Sequence, residues 1–146
     1  MKKSRNEKMR IVRRRGFTLV EIMVVIVILV MLASVATPLY FRHLKNSRIA
    51  TAKTQISMLE QALDDYRLDN GDYPDELAAL MENTGQLSSW DGPYIKPAVP
   101  KDPWGREYVY ICPGENGEFD LLSYGKDGRP GGSGEDADIA NYVVGD

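Results

Sequence analysis

Four carboxylates stand close together near the end of this chain, in a segment that is otherwise rich in glycine. Residues 123–139 read Ser-Tyr-Gly-Lys-Asp-Gly-Arg-Pro-Gly-Gly-Ser-Gly-Glu-Asp-Ala-Asp-Ile. Asp127, Glu135, Asp136 and Asp138 supply hard oxygen donors. Five glycines permit the tight backbone geometry that lets carbonyl oxygens join them. Such a set suits Ca²⁺, which takes six to eight oxygens in flexible geometry. The spacing is not that of an EF-hand. A solvated acidic loop uses the same residue types, so composition alone leaves both readings open. The stretch between Gly125 and Ala137 has no large apolar side chain to bury. It is expected to stay disordered unless something ties it down.

No catalytic set emerges elsewhere. A nucleophile needs a base within hydrogen-bond reach, and the only histidine, His43, sits beside an apolar segment. An interfacial or solvated role suits it better. Asp64, Asp65 and Asp69 resemble paired carboxylates, but their spacing puts them on a polar helix face where they solvate. Cys112 is the only cysteine, which excludes an internal disulfide and any His/Cys zinc cluster. A small exported domain without a disulfide needs another staple or must lean on assembly.

The remaining chemical oddity is Glu21. It lies near the start of the apolar run at residues 17–39, directly after Arg13-Arg14-Arg15-Gly16. A carboxylate at bilayer depth costs about 2.5–3.5 kcal/mol even on a lenient scale, so an acid there calls for a partner. The run itself is long enough to cross about 30 Å of hydrocarbon as a helix. Residues 1–16 carry eight Lys or Arg and one Glu, a net +7, while the whole chain is at −3, leaving −10 for the remainder. The basic leader is a topology signal that should stay on the cytoplasmic side. The acidic remainder argues against a nucleic-acid partner.

The elements around these groups can be read from periodicity. Ile49, Ala52, Ile56, Leu59, Leu63 and Tyr66 alternate at spacings of three and four, an apolar stripe on one helix face. Asn70-Gly71 supplies a stop. One helix is therefore expected from about residue 18 to about 69, kinked or loosened at Pro38. A short helix is predicted over residues 75–81 behind Pro74. The breakers between Asp91 and Gly105 predict a long loop anchored by Trp90 and Trp104. Strands are expected over residues 107–112 and 118–124, joined by a turn at 114–117, with a shorter third strand at 141–144.

The segment Gly16-Phe17-Thr18-Leu19-Val20-Glu21 resembles the signal shared by type IV pilins and type II secretion pseudopilins. The C-terminal pieces Asp120-Leu121-Leu122-Ser123-Tyr124-Gly125, Asp127-Gly128, Gly131-Gly132 and Ala137-Asp138-Ile139 look like the major pseudopilins of type II secretion systems. Tyr73-Pro74 and Lys101-Asp102-Pro103-Trp104-Gly105-Arg106, with Tyr108, look like the same family. The likeness runs from Arg15 to Tyr142.

The resemblance implies an α+β, pilin-like fold: a long N-terminal helix packed on a small antiparallel sheet, with a C-terminal calcium loop. It implies a leader at 1–16 cut after Gly16 by prepilin peptidase, with N-methylation of the new first residue, Phe17. The transmembrane or filament-core half would cover 17–39 and a periplasmic globular domain 40–146. Glu21 would serve assembly by pairing with a neighbouring subunit's N-terminal amine. Structural Ca²⁺ would be held by Tyr124 through its carbonyl, Asp127, Ser133, Asp136 and Asp138. Gly134 follows Ser133 where some relatives are expected to carry an acid, so the second carboxylate is open among Glu135, Asp136 and Asp138. Asp127 ranks first.

The implied role is structural, not enzymatic: the main subunit of a periplasmic pseudopilus that drives folded proteins across the outer membrane. Its partners would be further copies of itself, minor pseudopilins, the inner-membrane assembly platform and, before assembly, the inner membrane. Three rivals remain: a major pilin for adhesion or motility, a monomeric membrane-anchored periplasmic binding module, and an ordinary signal peptide cut near Ala33-Ser-Val-Ala-Thr37.

Overall fold

The computed structural model describes residues 16–144. The expected leader therefore lies outside the described residues except for Gly16. The longest element is α1, Leu19–Asn70, which continues helically through Pro38. Contacts divide the chain into two units, one up to Tyr40 and one from Phe41 onward.

The first unit is the apolar part of α1. Thr18 caps it: its Oγ1 accepts the Glu21 backbone N–H at 3.2 Å, and its carbonyl accepts the Ile22 N–H at 3.3 Å. Thr18-Leu19-Val20-Glu21 thus has the spacing of a capping box, with an acid in the positively polarised first turn. Further along, the Ser34 and Thr37 hydroxyls donate to the carbonyls of Met31 and Ala33, both at 2.7 Å. Such back-bonding lets a hydroxyl sit in an apolar helix.

The second unit is built on the amphipathic part of α1. Ala52, Ile56, Leu59, Ala62, Leu63 and Tyr66 are its buried face. They pack with Ala79, Leu80, Tyr108, Phe119, Leu121 and Ile139 in one core, with Ile49 partly buried at its margin. Three antiparallel strands cover them in the order β1 (Val109–Ile111), β2 (Asp120–Ser123), β3 (Ile139–Ala140). Tyr110 pairs with Leu121, and Ser123 with Ile139. All four residues of the central strand β2 are buried.

The expected elements shift in three places. The helix predicted over 75–81 is a 3-10 turn, Leu77–Leu80, and no side chain caps its start at Glu76. A segment this short with uncapped N–H groups tightens readily to i→i+3 bonding. The third strand falls at Ile139–Ala140, not at 141–144. Asn141 ends the ladder: its Oδ1 accepts the Leu121 N–H at 2.9 Å, while its Nδ2 donates to the Phe119 carbonyl at 3.3 Å. The side-chain oxygen has taken the place of the backbone carbonyl in the next rung, whose other bond, from the Asn141 N–H to the Leu121 carbonyl, remains at 3.0 Å. The first two strands are also shorter than expected, since Pro113 lacks a donor just beyond β1 and Asp120 is committed to the turn.

That commitment is specific. Buried Asp120 accepts the backbone N–H groups of Glu115 and Asn116 at 3.0 and 3.1 Å, and the Asn116 side-chain amide at 2.9 Å. The long loop is pinned as the tryptophans suggest, at least at Trp90, whose indole N–H donates to the Ala79 carbonyl at 3.0 Å. The helix acids do more than solvate: Asp64 accepts the Tyr73 hydroxyl at 2.9 Å, and Asp69 the Tyr94 hydroxyl at 2.8 Å.

Candidate functional site

The C-terminal loop is held from below by a polar knot. Asp102 is buried, and its Oδ1 accepts the N–H groups of Trp104 and Arg106 at 3.0 and 2.8 Å. Its Oδ2 accepts the hydroxyl of Ser123, the last residue of β2, at 2.6 Å, and Ser123 Oγ accepts the Gly125 N–H at 3.2 Å. Gly105 makes the turn in the positive-φ region that favours glycine. The turn aims Arg106 at the loop, where its guanidinium donates to the carbonyls of Gly125 and Lys126 at 2.9 and 2.7 Å. The Asp-Pro-Trp-Gly-Arg segment, read from sequence as breakers and as part of the family resemblance, is therefore the scaffold of the loop's entry. A buried carboxylate hydrogen-bonded in this way is costly to break, because removal of one member leaves the others unsatisfied.

The loop then folds back on itself. The Lys126 N–H donates to the Glu135 carbonyl at 2.8 Å, and the Gly131 N–H to Asp138 Oδ2 at 2.9 Å. Gly125 permits the close approach: a Cβ there would stand 2.5 Å from the Glu135 carbonyl oxygen and 2.8 Å from that of Ala137. Residues Gly134–Asp136 form a short 3-10 turn behind Ser133. Backbone pairing and arginine contacts tie it down where apolar burial could not.

The candidate ligands fare differently. Asp138 Oδ1 is buried and has no hydrogen-bond partner, an arrangement that costs about 1–3 kcal/mol or more unless something satisfies it. Asp127 is exposed, and its Oδ1 accepts the Arg129 N–H at 3.1 Å in a local turn. Glu135 is engaged: Arg48 Nη1 lies 3.7 Å from one oxygen and Lys126 Nζ 3.5 Å from the other. Ser133 is exposed; Asp136 and Tyr124 are half-buried. Among the described residues no three acidic, His or Cys side chains gather closely enough to hold a metal by themselves.

The Tyr142 hydroxyl is held above its ordinary range, first by burial and then by nearby groups that include the carboxylates of Asp120, Asp138 and Glu115. An unpaired buried carboxylate oxygen fits a divalent cation completed by backbone oxygens. Glu135, already paired with two cations, does not fit as a ligand.

The second candidate region is the apolar half of α1. Large side chains here run from 45% exposed at Val25 to 78% at Leu19, and Phe17 is 75% exposed. The helix is long and apolar enough to cross a membrane. Among the described residues nothing crowds Gly16, since a Cβ there would meet none of their atoms within 4 Å. The capping role of Thr18 was legible in the Thr-x-x-Glu spacing. The link between Arg48 and Glu135 was not, because 87 residues separate them in the sequence.

A long helix, apolar in its first part and amphipathic in its second, over a small antiparallel sheet and behind a Gly-Phe-Thr-Leu-Val-Glu signal, defines a pilin-like protein. Comparison with known proteins narrows that class. A family described as "Prokaryotic N-terminal methylation motif" matches residues 11–37, and one described as "Type II secretion system (T2SS), protein G" matches residues 40–142. The type II secretion system core protein G of Pseudomonas aeruginosa is 46% identical over 138 residues, covering 89% of this chain and 96% of that protein. The Vibrio cholerae protein of the same name is 42% identical, covering 96% of this chain and 98% of its own length. Among solved structures, the major pseudopilin of the type 2 secretion system of enterohaemorrhagic Escherichia coli matches with a TM-score of 0.56 and 34% identity, over 69% of this chain and 91% of that one. The chain belongs to the type II secretion system protein G family, the major pseudopilins.

Proposed function

We propose that this chain is the repeating subunit of a periplasmic pseudopilus that drives folded proteins across the outer membrane. The observation that carries the reading is the bare apolar helix beside a globular unit that closes its own core. A row of large side chains this exposed demands either lipid or neighbouring copies of itself. Before assembly the helix anchors the chain in the inner membrane, and the basic leader keeps its own end cytoplasmic and the globular unit periplasmic. Prepilin peptidase cuts between Gly16 and Phe17 and methylates Phe17. Minor pseudopilins and the inner-membrane platform are the further partners.

Glu21 gains its partner in the filament. There the positive amine of a neighbour's Phe17 offsets part of the desolvation of both charges. In the single chain, Glu21 sits in the first turn of α1, where the helix dipole already favours an acid.

Calcium is the proposed ligand of the C-terminal loop. Asp138 would anchor it through its unpaired oxygen, with Asp127, Asp136, Ser133 and the Tyr124 carbonyl as the remaining candidates. The ion would satisfy the buried oxygen of Asp138, and so stabilise the loop that Arg106 and Gly125 position. The test of the whole reading is electron microscopy of sheared filaments with N-terminal sequencing of their subunit. Filaments whose subunit begins at Phe17 support it. A monomer whose mature end lies near residue 38 would point to an ordinary signal peptide.

A further inference from the structure

Charge along this chain is sorted in a way that neither the fold nor the calcium loop requires. Between Glu21 and Glu60 there is no acid, while Arg42, Lys45, Arg48 and Lys53 are all basic. From Glu60 to the end there are six basic and nineteen acidic residues. The basic group begins at the first residue after Phe41, where the apolar segment ends. Arg42 is exposed and Lys45 and Arg48 are half-exposed. Only Arg48 has an acid in reach among the described residues, Glu135 at 3.7 Å. Steps of three residues place Arg42, Lys45 and Arg48 on a shallow arc of about 120° of helix surface.

We propose that Arg42, Lys45 and Arg48 form a binding surface for the phosphate headgroups of anionic phospholipids, in the leaflet from which the globular unit emerges. The geometry favours lipid over other anions. At about 1.5 Å per residue, Arg42, Lys45 and Arg48 lie roughly 2, 6 and 10 Å along the helix beyond Phe41, the last reaching back only through its long side chain. The headgroup layer outside the hydrocarbon is about 5–7 Å deep on each side. Tyr40 and Phe41 supply the aromatic residues that sit at such a boundary. Long basic side chains reach along the surface to phosphate while their stems stay on apolar ground. The surface also answers a problem set by the rest of the chain. A globular unit rich in acid is repelled by an anionic leaflet, and a basic collar at the contact level reverses the sign where it matters. Each basic residue near an anionic surface strengthens attachment by roughly fivefold.

The inference rests on the anchored state proposed above, yet its test reads lipid and not secretion or filaments, so the two readings fail separately. The full chain is reconstituted in vesicles of phosphatidylcholine with a minority of phosphatidylglycerol, then extracted in polymer discs. The lipid around it is quantified against the bulk ratio. Phosphatidylglycerol should be enriched several-fold around the wild type. Arg42→Gln/Lys45→Gln/Arg48→Gln should lose that enrichment, and the charge-preserving Arg42→Lys/Lys45→Arg/Arg48→Lys should keep it. Equal helicity by circular dichroism separates loss of charge from loss of fold. Millimolar inorganic phosphate should leave the enrichment in place, and displacement by it would overturn the proposal in favour of a free-phosphate site. Enrichment that survives the glutamine variant, or is absent in the wild type, overturns it as well. If the wild type shows no enrichment while the glutamine variant no longer forms filaments, the basic arc serves the acidic face of a second copy instead.

Discussion

The two parts of this molecule solve the problem of apolar surface in opposite ways. In the unit from Phe41 onward, the helix face Ala52–Tyr66 is covered by strands and loop, and Leu59, Leu63 and Leu121 are fully buried. In the unit ending at Tyr40, the large Val, Ile, Leu and Met side chains remain 45% or more exposed. Their sequences differ in period: the later half alternates apolar and polar at helical spacing, while the earlier half is apolar on every face. A helix with one apolar stripe can be satisfied by its own chain. One that is apolar all round must find its cover outside it. The comparison teaches that polymerisation or lipid is a thermodynamic requirement of the first unit, and that polar knots are refinements of the second.

The largest expected effect breaks the first unit's supply. Gly16→Arg should abolish maturation, leaving only the uncut precursor on a gel. The space around Gly16 is open, so the block would come from the peptidase and not from the fold. Glu21→Ala should come next: membrane insertion and cutting continue, but filament yield and secretion fall severely. Full filament yield from that variant would show that Glu21 merely caps its own helix with Thr18.

The globular unit should respond to core truncation instead. Leu63→Ala should cost about 2–5 kcal/mol in denaturant unfolding of the unit from Phe41 onward, with no direct effect on the cut at Gly16. The loop should show a smaller, ligand-dependent effect. Melting of the same unit with calcium against EGTA should separate the curves by about 2.7 kcal/mol at a hundredfold excess over the dissociation constant. Asp138→Asn should remove most of that difference, and Asp127→Ala part of it. Coincident curves for the wild type would make the loop a self-sufficient acidic turn.

The smallest effect concerns acid sensitivity. Glu118 accepts the Arg67 guanidinium at 2.5 Å and lies beside the Tyr73 hydroxyl, so Arg67 first and Tyr73 second hold its carboxyl below the ordinary 4.5. A depressed folded value means that this contribution is full above the unfolded value and is lost as pH falls through the folded one. Glu118→Gln should therefore lower stability slightly near neutrality, leave it unchanged well below about pH 4.5, and so flatten the acid limb of the profile. The pair is exposed, so the difference should be at the limit of detection.

Much of this was written in local pattern. The 52-residue helix α1, its apolar and amphipathic halves and the stop at Asn70 follow from periodicity and from Asn-Gly, because helix formation depends on neighbours three and four residues away. The hairpin between β1 and β2 was legible for the same reason. The cleavage signal and the Thr18 cap are also local spacings. What only tertiary structure decided are the relations across long separations. Asn141 closes the sheet four residues earlier than strand propensity suggested, because its side chain meets Phe119 and Leu121. Asp102 and Ser123 become one buried knot, and Arg106 becomes the loop's clamp. Among four neighbouring acids, the fold leaves Asp138 buried with an oxygen unpaired and turns Glu135 toward Arg48 and Lys126. Sequence names the donors, but burial and the choice of partner depend on which distant segments the core brings alongside them, and no local spacing carries that information.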